Sequence, residues 1–543
     1  MLWQVMAPVF TDRFFNTAGP VRADWHYLID PLTRWNMDDI LQLIAQGKYF
    51  VLHAPRQTGK TSCLLALMEY LNAEGRYQAV YANIETAQTA RNDVFRGIDT
   101  VVHTLASMAQ LYQQDARLHD WRQAMLKQSA PADDMLRSLL SQWAAQTDQP
   151  IVLFLDEVDA LVGDTLVSLL RQLRAGYTQR PQNFPLSIIL CGVRDVRDYR
   201  IQTTGQDIIT GGSAFNIKAE SLRLGHFIES EVQALLQQHT NLTGQVFTPE
   251  ALTYIWQQTQ GQPWLINALA YQVCFKGEGK NRTQPITLEL MKTARESLIQ
   301  RRDTHLDQLT DKLKEPRVHR VISTLLEGMG SANSLNPLDT EYVKDLGLIT
   351  VAINGETQMA NPIYQEVIPR ELVWGWQMGI TQREQWYQMS DQRLDIPKLL
   401  RAFQQFFHEN SEVWIERFDY KEAGPQLLLQ AFLQRILNGD GRLTREYGLG
   451  RKRTDLLIEW PLEQDQGFLG PVQRVVLELK ILHRSLEAAL ANGLPQTADY
   501  ADKSDAEEAH LICFNRDPQI NWDDKIFEQI ESYQERTIHI WGM

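Results

Sequence analysis

Two kinds of hydrophobic pattern alternate along the first half of the chain. Apolar runs at 50–52, 79–84, 151–155 and 187–193 read as strands, that at 151–155 as a central one buried on both faces of a sheet. Between them, apolar residues recur three and four apart, as in Trp35, Met37, Ile40, Leu41 and Ile44, and again across roughly 90–147. Strands alternating with helices predict an α/β fold around a parallel sheet. From Phe227 the pattern turns helical (Val232, Leu235, Leu236; Ala251, Ile255, Trp256), and a charged helix follows at about 291–313. Residues 342–361 then read as a helix stopped by a glycine cap at Gly347 and a short hairpin around Gly355, which together suggest a winged helix. Near the C-terminus a helix (426–433) precedes a strand pair (442–447 and 454–460) and a further strand at 475–480. In that last strand, period 2 puts Glu478 and Lys480 on one face, with Leu477 and Leu479 on the other.

A chain of 543 residues exceeds what one core can organise, so several domains are expected. The pattern divides it into an arm (1–33), an α/β core (34–215), a helical region (216–300), a winged-helix region (301–372), a connector (373–398) and a final α/β domain (399–543). Aromatic residues of the arm, Phe14 and Phe15 among them, are expected to pack onto the core or to fold over a bound base. The four cysteines, Cys63, Cys191, Cys274 and Cys513, are far apart and have no metal-ligand spacing. They argue for a reducing compartment and against a disulfide framework or structural zinc. The first residues lack the basic and apolar regions of a signal peptide, and no run approaches a membrane span, so a cytoplasmic location is expected. A formal net charge of −14 argues against a protein that coats nucleic acid, although local basic grooves remain compatible with it.

The chemistry-bearing residues sit at the ends of the predicted strands. Ala54-Pro55-Arg56-Gln57-Thr58-Gly59-Lys60-Thr61-Ser62 lies between the first strand and an Ala/Leu-rich helix, the context of a phosphate-binding loop. Backbone N–H groups and the helix dipole would meet a β-phosphate, Lys60 would reach the β/γ-phosphates, and the Thr61 hydroxyl would ligate Mg²⁺. Ala54 replaces the usual first glycine, so this position should not need a positive φ. Asp156 and Glu157 follow the apolar run at 151–155, where open α/β sheets hold ligands. Asp156 would hold Mg²⁺ through water and Glu157 would polarise the attacking water. Arg194 closes the run at 187–193, and two readings stay open for it: a bond to a γ-phosphate, or an ion pair with Asp195 or Asp198. Pro263, in Gly261-Gln262-Pro263, suits the first turn of a helix.

Phosphate loop, Asp156-Glu157, Arg194, Gly-x-Pro and winged helix, in that order, resemble the AAA-like and STAND-type ATPases over roughly 20–372. The resemblance implies a P-loop NTPase sheet with a helical lid, ATP and Mg²⁺ as cofactors, and assembly into a homo-oligomer through the ATPase domain. It also implies that Arg194 is the γ-phosphate sensor and that Pro263 is a lid residue near adenine. In such proteins the winged helix often serves packing, and no basic recognition helix is visible here.

In the last domain, an Asp on the strand beside Glu478 would complete an oxygen site for a hard cation, with Lys480 activating or orienting water. Alternation on an exposed strand also produces Glu-x-Lys freely. The wider pattern resembles the PD-(D/E)xK nuclease superfamily over about 400–543. Asp455, Glu478 and Lys480 match its core motif, with Thr454 where proline is usual, while Glu422 and Gln496, the latter on a helix that also carries Tyr500, match less specifically. The resemblance implies a restriction-endonuclease-like α/β domain with Asp455 and Glu478 as metal ligands. Arg442, Arg445, Arg451, Lys452 and Arg453 would supply a phosphate patch for nucleic acid, DNA above all, with Gln496 nearby; a solvated basic face is the alternative. The sequence thus reads as an ATPase that gates cleavage of nucleic acid, with defence against foreign DNA as an expected role. The opposing reading is a STAND-like switch whose C-terminal domain binds a partner or DNA without cutting. A transcription regulator acting through the winged helix is the third, weakened by the lack of basic residues there.

Overall fold

The computed structural model describes residues 13–543 apart from 195–199, 203–207, 211–214, 301–311, 327–334, 353–354, 369–386, 418–423, 438–440, 447–454, 464, 483–484, 516 and 518. The chain forms two compact units. The first runs to Phe247 and takes in Gln260–Pro285 and Asp345–Gly347; the second holds Thr248–Thr259, Ile286–Lys344 and Leu348–Met543. Helices Glu229–Thr243 and Pro263–Tyr271 count with the first unit, Pro249–Thr259 and Leu288–Gln300 with the second.

The first unit is built on a five-stranded parallel sheet. Its strands are β1 (Tyr49–His53), β2 (Gln78–Asn83), β3 (Ile151–Asp156), β4 (Ser187–Gly192) and β5 (Lys218–Arg223), in the order β2-β3-β4-β1-β5. Alternate residues serve opposite faces. Val51, Val80, Leu153, Leu155 and Leu190 enter one core with Trp143 and the helices of 94–145. Phe50, Leu52, Tyr81, Phe154 and Cys191 enter the other with Leu64 and Leu67 of helix α1 (Lys60–Glu74). Burial on both sides is why these strands read as continuous apolar runs; each large aliphatic side chain contributes roughly 1.5–3 kcal/mol of transfer free energy. The chain leaves β1 through α1 and re-enters the sheet at its far edge as β2. The C-terminal end of β1 is thus a switch point, where such sheets bind ligands.

The arm belongs to this unit. Phe14–Phe15 pairs in parallel with His26–Tyr27, and the Tyr27 hydroxyl bonds His239 Nδ1 at 3.1 Å. The Trp264 indole donates to the Thr17 carbonyl at 2.9 Å, and the Val21 amide to Ser62 Oγ at 3.1 Å.

The second unit carries a six-stranded mixed sheet. Its strands are β6 (Arg442–Glu446), β7 (Asp455–Pro461), β8 (Val472–Ile481), β9 (Glu508–Phe514), β10 (Phe527–Tyr533) and β11 (Arg536–Gly542), ordered β6-β7-β8-β9-β11-β10. The first three form an antiparallel meander, and β9 joins β8 in parallel after the crossover helix Leu486–Lys503, here α2. Leu456, Ile458, Leu477 and Leu479 face Phe403, Leu429 and Phe432 from the helices Ile396–Arg417 and Gly424–Leu437. Val476, Leu511 and Cys513 face Ala498 and Tyr500 of α2. Elsewhere, helix Pro316–Leu326 precedes helix Pro337–Asp345, whose last residue counts with the first unit. A hairpin pairing Ile349–Val351 with Thr357–Met359 follows. All four cysteines are free and buried. Among the described residues, no helix is long and apolar enough to cross a membrane.

Candidate functional site

The loop between β1 and α1 is closed by its own hydrogen bonds. Ala54 is fully buried, its amide donating to the Gly192 carbonyl of β4 at 3.3 Å. The left-handed positions fall later, at Gln57 (φ 59°) and Gly59 (φ 93°). Ala54 is not among the left-handed residues, which is why alanine fits there. The Thr58 hydroxyl donates to the Pro55 carbonyl at 2.8 Å. The Lys60 ammonium folds back over the loop, donating to the carbonyls of Ala54 (2.9 Å) and Pro55 (3.1 Å).

Asp156 ends β3 beside this loop and is fully buried. Its Oδ2 accepts from the Thr61 hydroxyl at 2.7 Å and the Tyr81 hydroxyl at 2.9 Å, while Oδ1 accepts the Glu157 amide at 2.9 Å. Glu157 turns the chain with φ 58° and ψ 40°, a left-handed conformation that costs a non-glycine residue about 1–3 kcal/mol. Burial raises its carboxyl above the usual range, and Asp159 adds to this while Lys60 opposes it. Thr61 and Asp156 converge as an all-oxygen pair, the donor chemistry Mg²⁺ takes, and Lys60 and the α1 N-terminus suit phosphate. These two residues would hold the ion, which when bound would neutralise phosphate charge.

Other residues bear on the same loop. The Arg34 guanidinium donates to the carbonyls of Thr58 (3.2 Å) and Gly225 (2.5 Å) and lies 4.5 Å from the Phe227 ring centre. Gly347, at φ +80°, approaches the loop so closely that a Cβ there would stand 2.6 Å from Pro55 Cβ. Arg194 Nε lies 3.7 Å from Asp345 Oδ2, both side chains mostly buried. Asp195 and Asp198, the partners considered from sequence, lie outside the described residues. Pro263 is buried at the first turn of its helix, where Gln262 Oε1 caps the Leu265 amide. Nothing local in the sequence marks Arg34, Tyr81 or Asp345. Tyr81 sits inside an apolar run and reads as core.

In the second unit, β-sheet register sets Asp455 opposite Glu478. Glu478 is fully buried, and its Oε1 accepts from the Lys480 ammonium, which also donates to Gln496 Oε1 of α2 at 2.6 Å. The alternation of β8 thus brings Glu478, Lys480 and Gln496 together on the α2 face. Arg442 departs from the exposed patch expected of it. It is buried, donating to Thr293 Oγ1 at 2.7 Å, with Glu289 Oε2 at 3.6 Å and the Phe468 ring centre 3.6 Å away. Burial has taken this guanidinium from water, and Glu289 and the Phe468 ring beside it offset part of that cost. Arg445 lies on β6; Glu422, Arg451, Lys452, Arg453 and Thr454 fall outside the described residues. Among the described residues, no group of three or more His, Cys, Asp or Glu gathers as a metal site.

A parallel sheet with a phosphate loop at its switch point is the build of a P-loop nucleotide-binding protein. The AAA-like domain family matches residues 32–368, more than half of the chain, and the chain belongs to that family. Among solved structures, it is similar to a Walker-type ATPase of Pyrococcus abyssi at 13% identity, over 65% of this chain and 99% of that one, with a TM-score of 0.45. Cdc6p of Pyrobaculum aerophilum is similar at 15% identity over 63% and 93% of the two chains, with a TM-score of 0.33. The RuvB Holliday junction branch migration motor of Thermotoga maritima follows at 11% identity, 61% and 95%, and 0.31. No curated protein matches.

Proposed function

We propose that this AAA-like protein binds and hydrolyses Mg²⁺-ATP and uses the nucleotide to gate metal-dependent cleavage of nucleic acid by its C-terminal domain. The observation that carries the ATPase part is the meeting of Lys60, Thr61, Asp156 and Glu157 at one end of the parallel sheet. Lys60 holds phosphate, Thr61 and Asp156 hold the ion, and Glu157 activates water. Arg194 serves as γ-phosphate sensor and Pro263 as lid residue near adenine.

For the second activity, support comes from the register of Asp455 with Glu478 and from Lys480 on the same face as Glu478. The order helix, antiparallel meander, helix, parallel strand is similar to the PD-(D/E)xK superfamily. Asp455 and Glu478 hold the metal, Lys480 acts on water, and Arg445, Arg451, Lys452 and Arg453 hold phosphates of DNA. Residues 301–372 act as a winged-helix packing module, since helix Pro337–Asp345 carries Asp339, Glu341 and Asp345 against one lysine. Defence against foreign DNA in the cytoplasm, as a homo-oligomer, fits this pairing of activities.

A second reading, a STAND-like switch that binds DNA or a partner without cutting, is favoured by the complete burial of Glu478 against Lys480. Purified protein is incubated with plasmid, linear and single-stranded DNA and with RNA, with Mg²⁺ or Mn²⁺ and with or without ATP. Metal-dependent cleavage that disappears in Asp455→Ala supports the first reading. Binding with no product under any metal supports the second.

A further inference from the structure

Asp156 is held from more sides than the phosphate-loop motif accounts for. Its neighbours come from α1 (Thr61), from β2 (Tyr81) and from β4 (Cys191). Tyr81 differs from Thr61 in kind. Its ring lies in the apolar layer with Val152, Phe154 and Cys191, and only its hydroxyl reaches the site, 2.9 Å from Asp156 Oδ2. A carboxylate that helps hold a hard cation needs its second lone pairs engaged and its rotamer fixed, and outer partners commonly do both.

We propose that Tyr81 is a positioning residue for the metal: its hydroxyl fixes the Asp156 carboxylate in the orientation that, with Thr61, holds Mg²⁺ on the nucleotide. The inference rests on the reading of Asp156 and Thr61 as the Mg²⁺ residues. It adds that the strand next to β3 decides how tightly they hold the ion. Tyr81 reaches Asp156 from that neighbouring strand, where Asn83 and not Tyr81 is the register partner of Asp156. The phosphate-loop motif therefore says nothing about it.

Tyr81→Phe keeps the ring and removes the hydroxyl alone. The affinity of the full chain for a fluorescent ATP analogue is measured in EDTA and across a Mg²⁺ titration, beside a thermal unfolding curve. The metal-free affinity should stay at the wild-type value, while the Mg²⁺ concentration for half-maximal tightening rises about 10–100-fold, as loss of an outer partner typically does. Hydrolysis should return when Mg²⁺ is raised. Adding Tyr81→Phe to Asp156→Ala should change the Mg²⁺ dependence no further, because the tyrosine acts through that carboxylate. An unchanged Mg²⁺ titration, equal losses with and without metal, or additive effects in the double variant would overturn the proposal while leaving the phosphate site standing. A wild type that binds the analogue in neither condition would overturn both.

Discussion

Glu157 occupies a left-handed backbone position that glycine would take without strain, and it places a half-buried carboxylate there. Burial penalises its charged form, so its folded pKa lies above its unfolded one. A group shifted this way adds stability at low pH and loses it as pH rises through the folded value. Glu157→Gln should therefore be at least as stable as wild type at neutral pH, by thermal unfolding. It should still bind ATP but hydrolyse it about 10²–10⁴-fold more slowly, the usual worth of a general base. In wild type the acid limb of the pH–rate profile should fall above the ordinary carboxylate range, since the base must ionise. A variant that turns over normally, or an acid limb at the ordinary value, would remove Glu157 from this role. As candidates, Lys60, Thr61, Asp156 and Glu157 were legible because each belongs to a local spacing at a strand end. Arg34 and Tyr81 were not, because their contacts come from elements remote in sequence and leave no periodic trace.

At the scale of elements, β8 shows what alternation can and cannot reveal. Leu477 and Leu479 enter one core, and Glu478 and Lys480 share the α2 face, as period 2 requires. The burial of Glu478 depends on α2 covering that face, which no pattern within the strand announces. Lys480→Ala removes the cation beside a fully buried carboxylate and should destabilise the second unit by about 3–5 kcal/mol, read from urea unfolding. Adding Glu478→Gln should recover much of that loss. A Lys480→Ala protein of wild-type stability would show that this pair contributes little to the fold. Edge strand β5, built of Lys, Ala, Glu, Ser, Leu and Arg, escaped the hydrophobic reading because an edge lacks burial on both faces. Arg442 was legible as a charge but not as a buried one, since its partners Glu289 and Thr293 lie some 150 residues earlier in the chain.

At the scale of the molecule, the chain passes between its two units several times, at 247/248, 259/260 and 285/286 and again around Asp345–Gly347. The helices Pro249–Thr259 and Leu288–Gln300, expected with the ATPase lid, count with the unit that bears Glu478 and Lys480. Helical periodicity revealed these helices but not their membership, which depends on long-range packing. Under the proposed function, nucleotide state reaches the C-terminal sheet only through a difference that ATP and ADP make between states of the protein. The direct measurement is the rate of plasmid cleavage with Mg²⁺ in the presence of ATP, ADP or no nucleotide, for wild type, Lys60→Ala and Asp455→Ala. Nucleotide-gated cleavage predicts that wild type responds to ATP, that Lys60→Ala cuts at one rate whatever the nucleotide, and that Asp455→Ala does not cut. Cleavage by wild type that is indifferent to ATP, or undiminished in Asp455→Ala, would contradict it.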